Sequence, residues 1–393
     1  MNVSEDTTQT KEELTFEEFK QEVLNDYKLA NISRECSLLG RREVLTGKAK
    51  FGIFGDGKEV AQIAMAKFFE KGDWRSGYYR DQTFMMAIGE LTPEQFFAGL
   101  YAHTDLEKEP MSGGRQMGGH YSTHTLTPDG SWKNITEQKN SSADISPTSG
   151  QMPRLLGLAL ASKVYKENEL LHNKTQFSRK GREIAFGTIG DASTSEGHFW
   201  ETMNAASVMQ VPMLVSVWDD GHGISVPKKY QTTKESISEA LKGFEKDGKH
   251  PSGIKIFKTK GWNYPHLIET YKEAVDFCRN THTPVLIHVE EVTQPQGHST
   301  SGSHERYKSP ERLQWEKDFD PIKKMGEWMV ANNIATQEEL EAIQKEAKKI
   351  VREAKNKAWN DYLAPIKKEH QTFINLCTAI AEKSQNKAFI LST

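Results

Sequence analysis

The stretch Gly190-Asp-Ala-Ser-Thr-Ser-Glu-Gly197 decides the fold, because it stands between two patterns typical of buried strands. Residues 183–189 before it are almost continuously apolar, as in a parallel strand that is covered on both faces. Residues 198–210 after it carry apolar side chains at helical spacing. Residues 213–218 form a second apolar run, which ends at Asp219-Asp220-Gly221. This order of strand, acidic turn, helix, strand and acidic turn predicts a parallel α/β sheet.

The two acidic turns are expected to lie side by side. A right-handed crossover between neighbouring parallel strands puts both turns at the carboxyl edge of the sheet. Asp191 and either Asp219 or Asp220 would then face one another across a cleft. Carboxylates and loop carbonyls suit a hard divalent cation, and such a cation suits a bound phosphate. The alternative is that both are ordinary turns, since turns favour Gly and Asp for backbone reasons.

These turns resemble the thiamine diphosphate signature, a Gly-Asp-Gly turn followed later by Asn-Asn-Gly. More narrowly, GDASTSEGHFWETMNAA and DDGHGIS are similar to the alpha subunits of 2-oxo acid dehydrogenases, the family of the pyruvate and branched-chain enzymes. The resemblance extends over residues 41–364. It implies a thiamine diphosphate-binding α/β fold with a mostly parallel central sheet, helices on both faces and a helical C-terminal extension.

The resemblance also implies how a cofactor would be held. The side chains of Asp191 and Asp220 and the backbone carbonyl of His222 would ligate Mg²⁺, which holds the diphosphate of thiamine diphosphate. Gly190, Ala192 and Ser193 belong to the same cofactor-binding turn. Ala192 replaces the last glycine of Gly-Asp-Gly, which is acceptable if its φ is not positive.

Tyr79 and Arg80, in Gly77-Tyr-Tyr-Arg-Asp81, match the pair that hydrogen-bonds the diphosphate in the family. Arginine suits that role because its planar fork donates two hydrogen bonds and stays charged. Without the resemblance, the alternative explanation of an arginine beside Asp81, and the less favoured one, is half of a surface ion pair.

The long stretch 111–149 is poor in apolar periodicity, which is typical of a functional loop or of disorder. His120 matches a family histidine that sits over the active site, although a lone loop histidine is more often simply solvated. Ser146 and Thr148 match residues that touch the aminopyrimidine ring of the cofactor. Alternatively, Ser146 or Ser149 caps the helix that follows, which is apolar nearly all round over residues 155–164 and is therefore expected to be buried.

A last strand, at residues 284–289, leads into Gly297-His298-Ser299. This loop resembles one whose histidine lies near the thiazolium ring and handles the 2-oxo acid and the acyl group. An imidazole that titrates near neutrality can donate or accept a proton there. His298 is therefore the first candidate for a catalytic residue, with His120 the second.

Three departures from the family pattern change the charge of the expected site. Asp220 replaces an asparagine, Trp218 replaces a phosphate-contacting arginine, and Pro295-Gln296 replaces an arginine-containing segment. Together they remove positive charge and add negative charge around an anionic ligand. Either another basic group such as Arg80 or Arg115 compensates, or the affinity for the cofactor is reduced.

The implied function is oxidative decarboxylation of a 2-oxo acid of the branched-chain, 2-oxoisovalerate type, with transfer of the acyl group to a lipoyl-bearing acyltransferase. Activity would require a beta subunit, in an α2β2 heterotetramer or a fused equivalent, because the glutamate that activates the cofactor belongs to that subunit. A pyruvate dehydrogenase alpha component is the nearest rival. A transketolase-like half is disfavoured by the Gly-His-Ser-Thr loop, and a degenerate, non-catalytic subunit stays open because of the charge departures.

Composition agrees with this interpretation. The chain has 393 residues, a formal net charge of −3 and three cysteines, which favours neither nucleic-acid binding nor a disulfide framework. We expect a cytoplasmic protein without a membrane span, in which residues 1–16 are disordered and residues 17–310 form the cofactor-binding domain. Residues 311–393 would form a helical extension, whose apolar stripe from Leu340 to Ala358 is expected to end near Pro365.

Overall fold

The computed structural model describes residues 15–392, and its centre is a six-stranded parallel sheet. The strands of this sheet are β1 (Trp74–Ser76), β2 (Asn140–Ser141), β3 (Ala185–Gly190), β4 (Met213–Trp218), β7 (Lys255–Lys260) and β8 (Val285–Glu290), in the spatial order β2-β1-β3-β4-β8-β7. Every neighbouring pair in it is parallel. Two short strands, β5 (His222–Gly223) and β6 (Val226–Pro227), form a separate antiparallel hairpin.

Helices cover both faces of the sheet. They are α1 (Phe16–Leu45), α2 (Glu59–Ala66), α3 (Gln82–Ala87), α4 (Pro93–Leu100), α5 (Gln151–Glu167), α6 (Gly197–Met209), α7 (Ile237–Ala240), α8 (Tyr264–Thr281), α9 (Pro310–Asp318), α10 (Pro321–Ala331), α11 (Gln337–Lys383) and α12 (Lys387–Ser392). Side chains alternate along β4, so Leu214 joins the core beneath α2 and α8 while Val215 joins the core beneath α5 and α6. The predicted fold class is therefore confirmed.

Helix α5 differs from its prediction, because only one of its faces is buried. Leu155 and Ala159 pack against the sheet, whereas Leu160 and Val164 on the other side are 37% and 43% exposed. The helix is an outer layer, and the described residues bring no further element over its far side. The predicted serine cap is also wrong: the N-cap residue is Gly150, with no side-chain hydrogen bond.

The ends of the chain carry the longest helices. Helix α1 begins at Phe16 behind a capping box made by Thr15 and Glu18. Residues 1–14 lie outside the described residues, so the disorder predicted for residues 1–16 stays a prediction, as do the domain boundaries. Helix α11 continues through Pro365 to Lys383 instead of ending there. Its surface is exposed at this point, so water can satisfy the carbonyl that the proline leaves without a donor.

The predicted long loop is tied to the sheet by one buried arginine. Arg75 in β1 donates from Nε to Asp81 Oδ2 (2.8 Å) and from Nη2 to Asp144 Oδ2 (2.9 Å). The same Asp144 oxygen accepts the backbone N–H of Tyr121 at 3.0 Å. Arg75 and both carboxylates are buried, so both arms of the loop are fixed to the strand that precedes it.

None of the helices within residues 15–392 combines the length and the apolar character needed to cross a bilayer.

Candidate active site

A cleft with a volume of about 400 Å³ lies at the carboxyl edge of the sheet. The turns after β3 and β4 meet there, as predicted. Ten of the predicted site residues line it: Tyr79, Arg80, Thr148, Gly190, Asp191, Ala192, Ser193, Asp220, His222 and His298. Strand order explains this arrangement, because β3 and β4 are adjacent and in register up to Gly190 and Trp218.

Asp191 is a buried carboxyl group with an unused oxygen. Its Oδ2 has no hydrogen-bond partner among the described residues. Burial raises the pKa of Asp191 well above its usual range, and the negative charges of Asp220 and Asp219 raise it further. Ala192 begins a 3-10 turn that extends to Ser195 and is not among the residues with positive φ. The condition for replacing glycine there is therefore met.

The two aspartates after β4 point in different directions. Asp220 lines the cleft, where its Oδ1 accepts the backbone N–H of His222 at 3.1 Å. Its Oδ2 lies 3.4 Å from Lys58 Nζ. Burial opposes ionisation of Asp220, but the positive charges of Lys58 and Arg80 outweigh it and hold its pKa below the ordinary value. Of the two candidate carboxylates, Asp220 and not Asp219 therefore lines the cleft, as the resemblance predicted.

Asp219 turns away from the cleft into a buried network. His288 Nε2 donates to its Oδ2 at 3.0 Å, and Lys228 Nζ donates to the same oxygen at 2.9 Å. On the other side of the ring, His288 Nδ1 lies 2.8 Å from Ser238 Oγ. Burial raises the pKa of Asp219, but the bonds from His288 and Lys228 outweigh this and lower it. Ser238 and His288 are buried, which makes this network a support for the turn.

Arg80 is a buried cation that bonds only to neutral acceptors. Its Nη1 donates to the carbonyl of Phe54 at 2.6 Å, and its Nη2 donates to the carbonyl of His298 at 3.0 Å. Within residues 15–392, no carboxylate lies within ion-pair distance of it. The alternative of a surface pair with Asp81 is wrong, because Asp81 bonds to Arg75.

His298 has a defined protonation state in this arrangement. Its Nδ1 lies 3.0 Å from Arg80 Nη2, and arginine can only donate. Nδ1 is therefore the acceptor, and the neutral ring carries its proton on Nε2. Burial and the charge of Arg80 lower the pKa of His298 to about 4. The expectation that this imidazole titrates near neutrality is therefore not met.

His120 and Ser146 do not line the cleft. They contact each other instead, with His120 Nε2 2.9 Å from Ser146 Oγ, while His120 Nδ1 donates to the carbonyl of Met117 at 3.0 Å. His120 lines a separate small cavity beside Phe96. Arg115, one of the two proposed compensating groups, is exposed and donates to the carbonyl of Ser112.

Several residues near the cleft were not predicted from the sequence. Further lining residues are Tyr78, Glu196, Gly223, Ile224, Val226, Gln231, Gln294, Tyr307 and Lys308. Lys58, directly behind the cleft, stands in Gly57-Lys58-Glu59, where the family has Gly-Gln-Glu or a similar turn. A lysine at that position was a usable signal, since the acidic departures required a nearby cation. Trp218 is fully buried and does not line the cleft.

The charges of the cleft fit a ligand that carries both a cation and an anion. Asp191 Oδ2 is a buried carboxylate oxygen without a donor, and Arg80 is a buried guanidinium without a carboxylate. The described residues contain no cluster of three or more His, Cys, Asp and Glu side chains suited to a metal ion. Two carboxylates are nevertheless enough for Mg²⁺, which usually binds one or two of them together with substrate phosphates and water.

Comparison with known proteins gives a consistent result. The sequence matches the family described as "Dehydrogenase E1 component" over residues 27–367. It is 27% identical over 351 residues to the 2-oxoisovalerate dehydrogenase subunit alpha of Bacillus subtilis, which covers 88% of this chain and 93% of that protein. It is 25% identical over 342 residues to the mitochondrial pyruvate dehydrogenase E1 component subunit alpha of Dictyostelium discoideum, and this match covers 87% of this chain and 77% of that protein. It is 26% identical over 335 residues to the pyruvate dehydrogenase E1 component subunit alpha of Acholeplasma laidlawii, and the match covers 83% of this chain and 81% of that protein.

Proposed function

Because this chain belongs to the dehydrogenase E1 component family, we propose that it is the alpha component of a thiamine diphosphate-dependent 2-oxo acid dehydrogenase. The unpaired guanidinium of Arg80 and the unpaired carboxyl oxygen of Asp191 in one cleft are the observation that supports this most directly. A magnesium diphosphate would satisfy both groups at once, because the metal favours the ionised form of Asp191, whereas an uncharged ligand would leave the buried charge of Arg80 unpaired.

The residues of the cleft divide into two roles in this proposal. Asp191, Asp220 and the carbonyl of His222 would hold Mg²⁺, while Arg80 and Tyr79 would donate to the diphosphate; all five residues line the cleft. Gly190, Ala192 and Ser193 form the turn that approaches it, and Thr148 lies farther along the cleft. Thiamine diphosphate supplies the electron sink for decarboxylation when it is bound.

His298 is proposed as a hydrogen-bond donor to the reacting 2-oxo acid. It is neutral and carries its proton on Nε2, so it donates a hydrogen bond to an oxygen of the substrate and does not act as a base. Arg80 fixes its ring and keeps it neutral. His120 and Ser146 lie outside the cleft, so the proposal assigns neither of them a role in the reaction.

We further propose a branched-chain substrate of the 2-oxoisovalerate type, acyl transfer to a lipoyl-bearing partner, and dependence on a beta subunit. The Bacillus subtilis relative, which carries the 2-oxoisovalerate name and matches over most of its length, supports this choice. Pyruvate is the second candidate substrate, because relatives named for pyruvate match over much of the chain as well.

Calorimetric titration tests the proposal, with thiamine diphosphate added at saturating MgCl₂ to the chain alone and to its complex with the beta subunit. Arg80→Gln is expected to weaken binding about tenfold or more, because it removes charge-assisted bonds to the diphosphate. Arg115→Gln is the matched control, since this arginine is exposed and outside the cleft, and it should change the affinity less than about twofold. Equal effects of the two variants, or no binding by the wild-type complex, would contradict the proposal.

The substrate is tested separately on the complex. Decarboxylation rates with 2-oxoisovalerate and with pyruvate give two values of kcat/KM, and the branched-chain acid is expected to have the larger. A larger value for pyruvate would transfer the proposal to the second candidate. Full activity of the chain without any partner would contradict the requirement for a beta subunit.

A further inference from the structure

Lys58 is a buried lysine directly behind the cleft. It precedes α2, is 1% exposed, and does not line the cleft itself. Its ammonium group has acceptors in three directions: Asp220 Oδ2 at 3.4 Å, the carbonyl of Thr293 at 3.3 Å and the side-chain oxygen of Gln294. An ammonium group has three donors and no acceptor. All its hydrogen-bonding capacity is therefore used within the protein.

Burying such a group is expensive unless a negative charge lies nearby. The effective penalty for taking one ion out of water inside a protein is several kcal/mol. Thr293 and Gln294 offer only neutral oxygens, so Asp220 supplies the one carboxylate within ion-pair distance of Lys58 among the described residues. The two charges consequently depend on each other.

Asp220 is held from three sides, and Lys58 is the one cation within ion-pair distance of its carboxylate among the described residues. The backbone N–H of His222 binds Oδ1 at 3.1 Å, and Arg312 Nη2 binds the main-chain carbonyl of Asp220 at 2.7 Å. Lys58 lies beside Oδ2, the remaining oxygen. A carboxylate oxygen has more than one lone-pair direction, so Oδ2 can face Lys58 and still present an electron pair to the cleft.

We propose that Lys58 is a positioning residue for the cofactor's diphosphate, which it serves by cancelling the charge of Asp220. The inference rests on the proposed function. Asp191 and Asp220 both line the cleft, and two uncompensated carboxylates would repel an anionic diphosphate. With Lys58 in place, Asp220 keeps its oxygens in the cleft while the pair contributes no net charge. Arg80 then stays available for the anion, since it makes no ion pair of its own within residues 15–392.

A double-mutant cycle tests this inference on the complex with the beta subunit. Lys58→Gln removes the positive charge, Asp220→Asn removes the negative one, and the double variant removes both. The readouts are the affinity for thiamine diphosphate at saturating MgCl₂ and the thermal midpoint of unfolding. Lys228→Gln is the matched control, because it neutralises a lysine paired with the neighbouring Asp219 at 2.9 Å and outside the cleft.

Lys58→Gln alone is expected to weaken thiamine diphosphate binding about tenfold or more. The double variant should recover most of the affinity that Lys58→Gln loses, and most of the thermal midpoint that either single variant loses. The control should change the affinity by less than about twofold. This pattern would support a positioning role that acts through Asp220.

Two results would overturn the inference while leaving the proposed function intact. One is an additive cycle, in which the double variant binds as poorly as the product of the single effects predicts. The other is recovery of the thermal midpoint without recovery of affinity, which would make Lys58 a structural residue only. Failure of the wild-type complex to bind thiamine diphosphate would overturn the proposed function itself, and the positioning role with it.

Discussion

The two aspartates that follow β4 are neighbours in sequence but belong to different environments. Asp219 lies in a closed network with His288 and Lys228, in which its Oδ2 accepts two hydrogen bonds. Asp220 faces the cleft, with one oxygen on a backbone N–H and the other 3.4 Å from Lys58. Oδ2 of the first carboxylate is used by the protein, although its Oδ1 has no partner among the described residues, whereas the second carboxylate faces the cleft. We expect the first to contribute mainly to stability and the second mainly to binding.

The largest effect that this comparison predicts is on the cleft side. Asp191→Asn is expected to weaken magnesium-dependent thiamine diphosphate binding about 100-fold, because it removes a charged ligand of the metal. The same variant should leave the free energy of unfolding within about 1 kcal/mol of the wild type, since burial already disfavours the ionised form of this carboxyl. Calorimetry and urea unfolding measure the two quantities. A large loss of stability with unchanged binding would reverse the assigned roles.

The second prediction concerns the buried side. Asp219→Asn is expected to lower the free energy of unfolding by about 2–3 kcal/mol, because it removes the charged acceptor of two hydrogen bonds and leaves the buried His288 with a weaker partner. Urea unfolding measures this change. Lys228→Gln is the control and should cost less than about 1 kcal/mol, since the lysine side chain is 36% exposed. Weakened cofactor binding comparable with that of Asp191→Asn would show that Asp219 is not confined to a structural role.

The smallest expected effect is on the pH dependence of stability, and it comes from His298 in the cleft. The pKa of His298 is about 4 in the folded chain, and an unfolded histidine titrates near 6.5. The unfolded state therefore binds more protons between these values, so His298 lowers stability as the pH falls from about 6.5 to about 4. The slope of the unfolding free energy against pH is proportional to the number of protons taken up on unfolding. In this window, His298→Gln should lower that number by up to one. An unchanged slope would mean that His298 is not held neutral by burial and Arg80.

Much of the fold was predictable from the sequence because local patterns determine it. The apolar runs around residues 183–189 and 213–218 gave β3 and β4 to within two residues, and parallel connection brought their turns together. Asp191 followed from the same argument, whereas Gly190, Ala192 and Ser193 followed from the resemblance to the family. By contrast, the apolar pattern did not distinguish Asp219 from Asp220, because no periodicity extends beyond a strand end. The prediction of Asp220 came from the resemblance alone.

The residues that were missed depend on contacts between distant segments. Lys58, the residue before α2, reaches Asp220 across the fold. Its place in Gly57-Lys58-Glu59 was a signal for a cation near the acidic turns, but not for the carboxylate that it meets. His120 was placed over the site by resemblance alone, whereas the structure pairs it with Ser146. Pro365 was predicted to end a helix, but α11 continues through it, because water can satisfy the carbonyl that loses its donor in an exposed helix.

The arginine that fixes the loop at residues 111–149 has a consequence for local opening. Releasing the amide of Tyr121 to solvent requires its bond to Asp144 to break, and the buried Arg75 holds Asp144 in place as the acceptor. Protection should therefore be high at the base of the loop and low near Gly130, which is exposed. The exposed tip of the loop can therefore reorganise on a partner while the base of the loop stays attached to the sheet through Arg75.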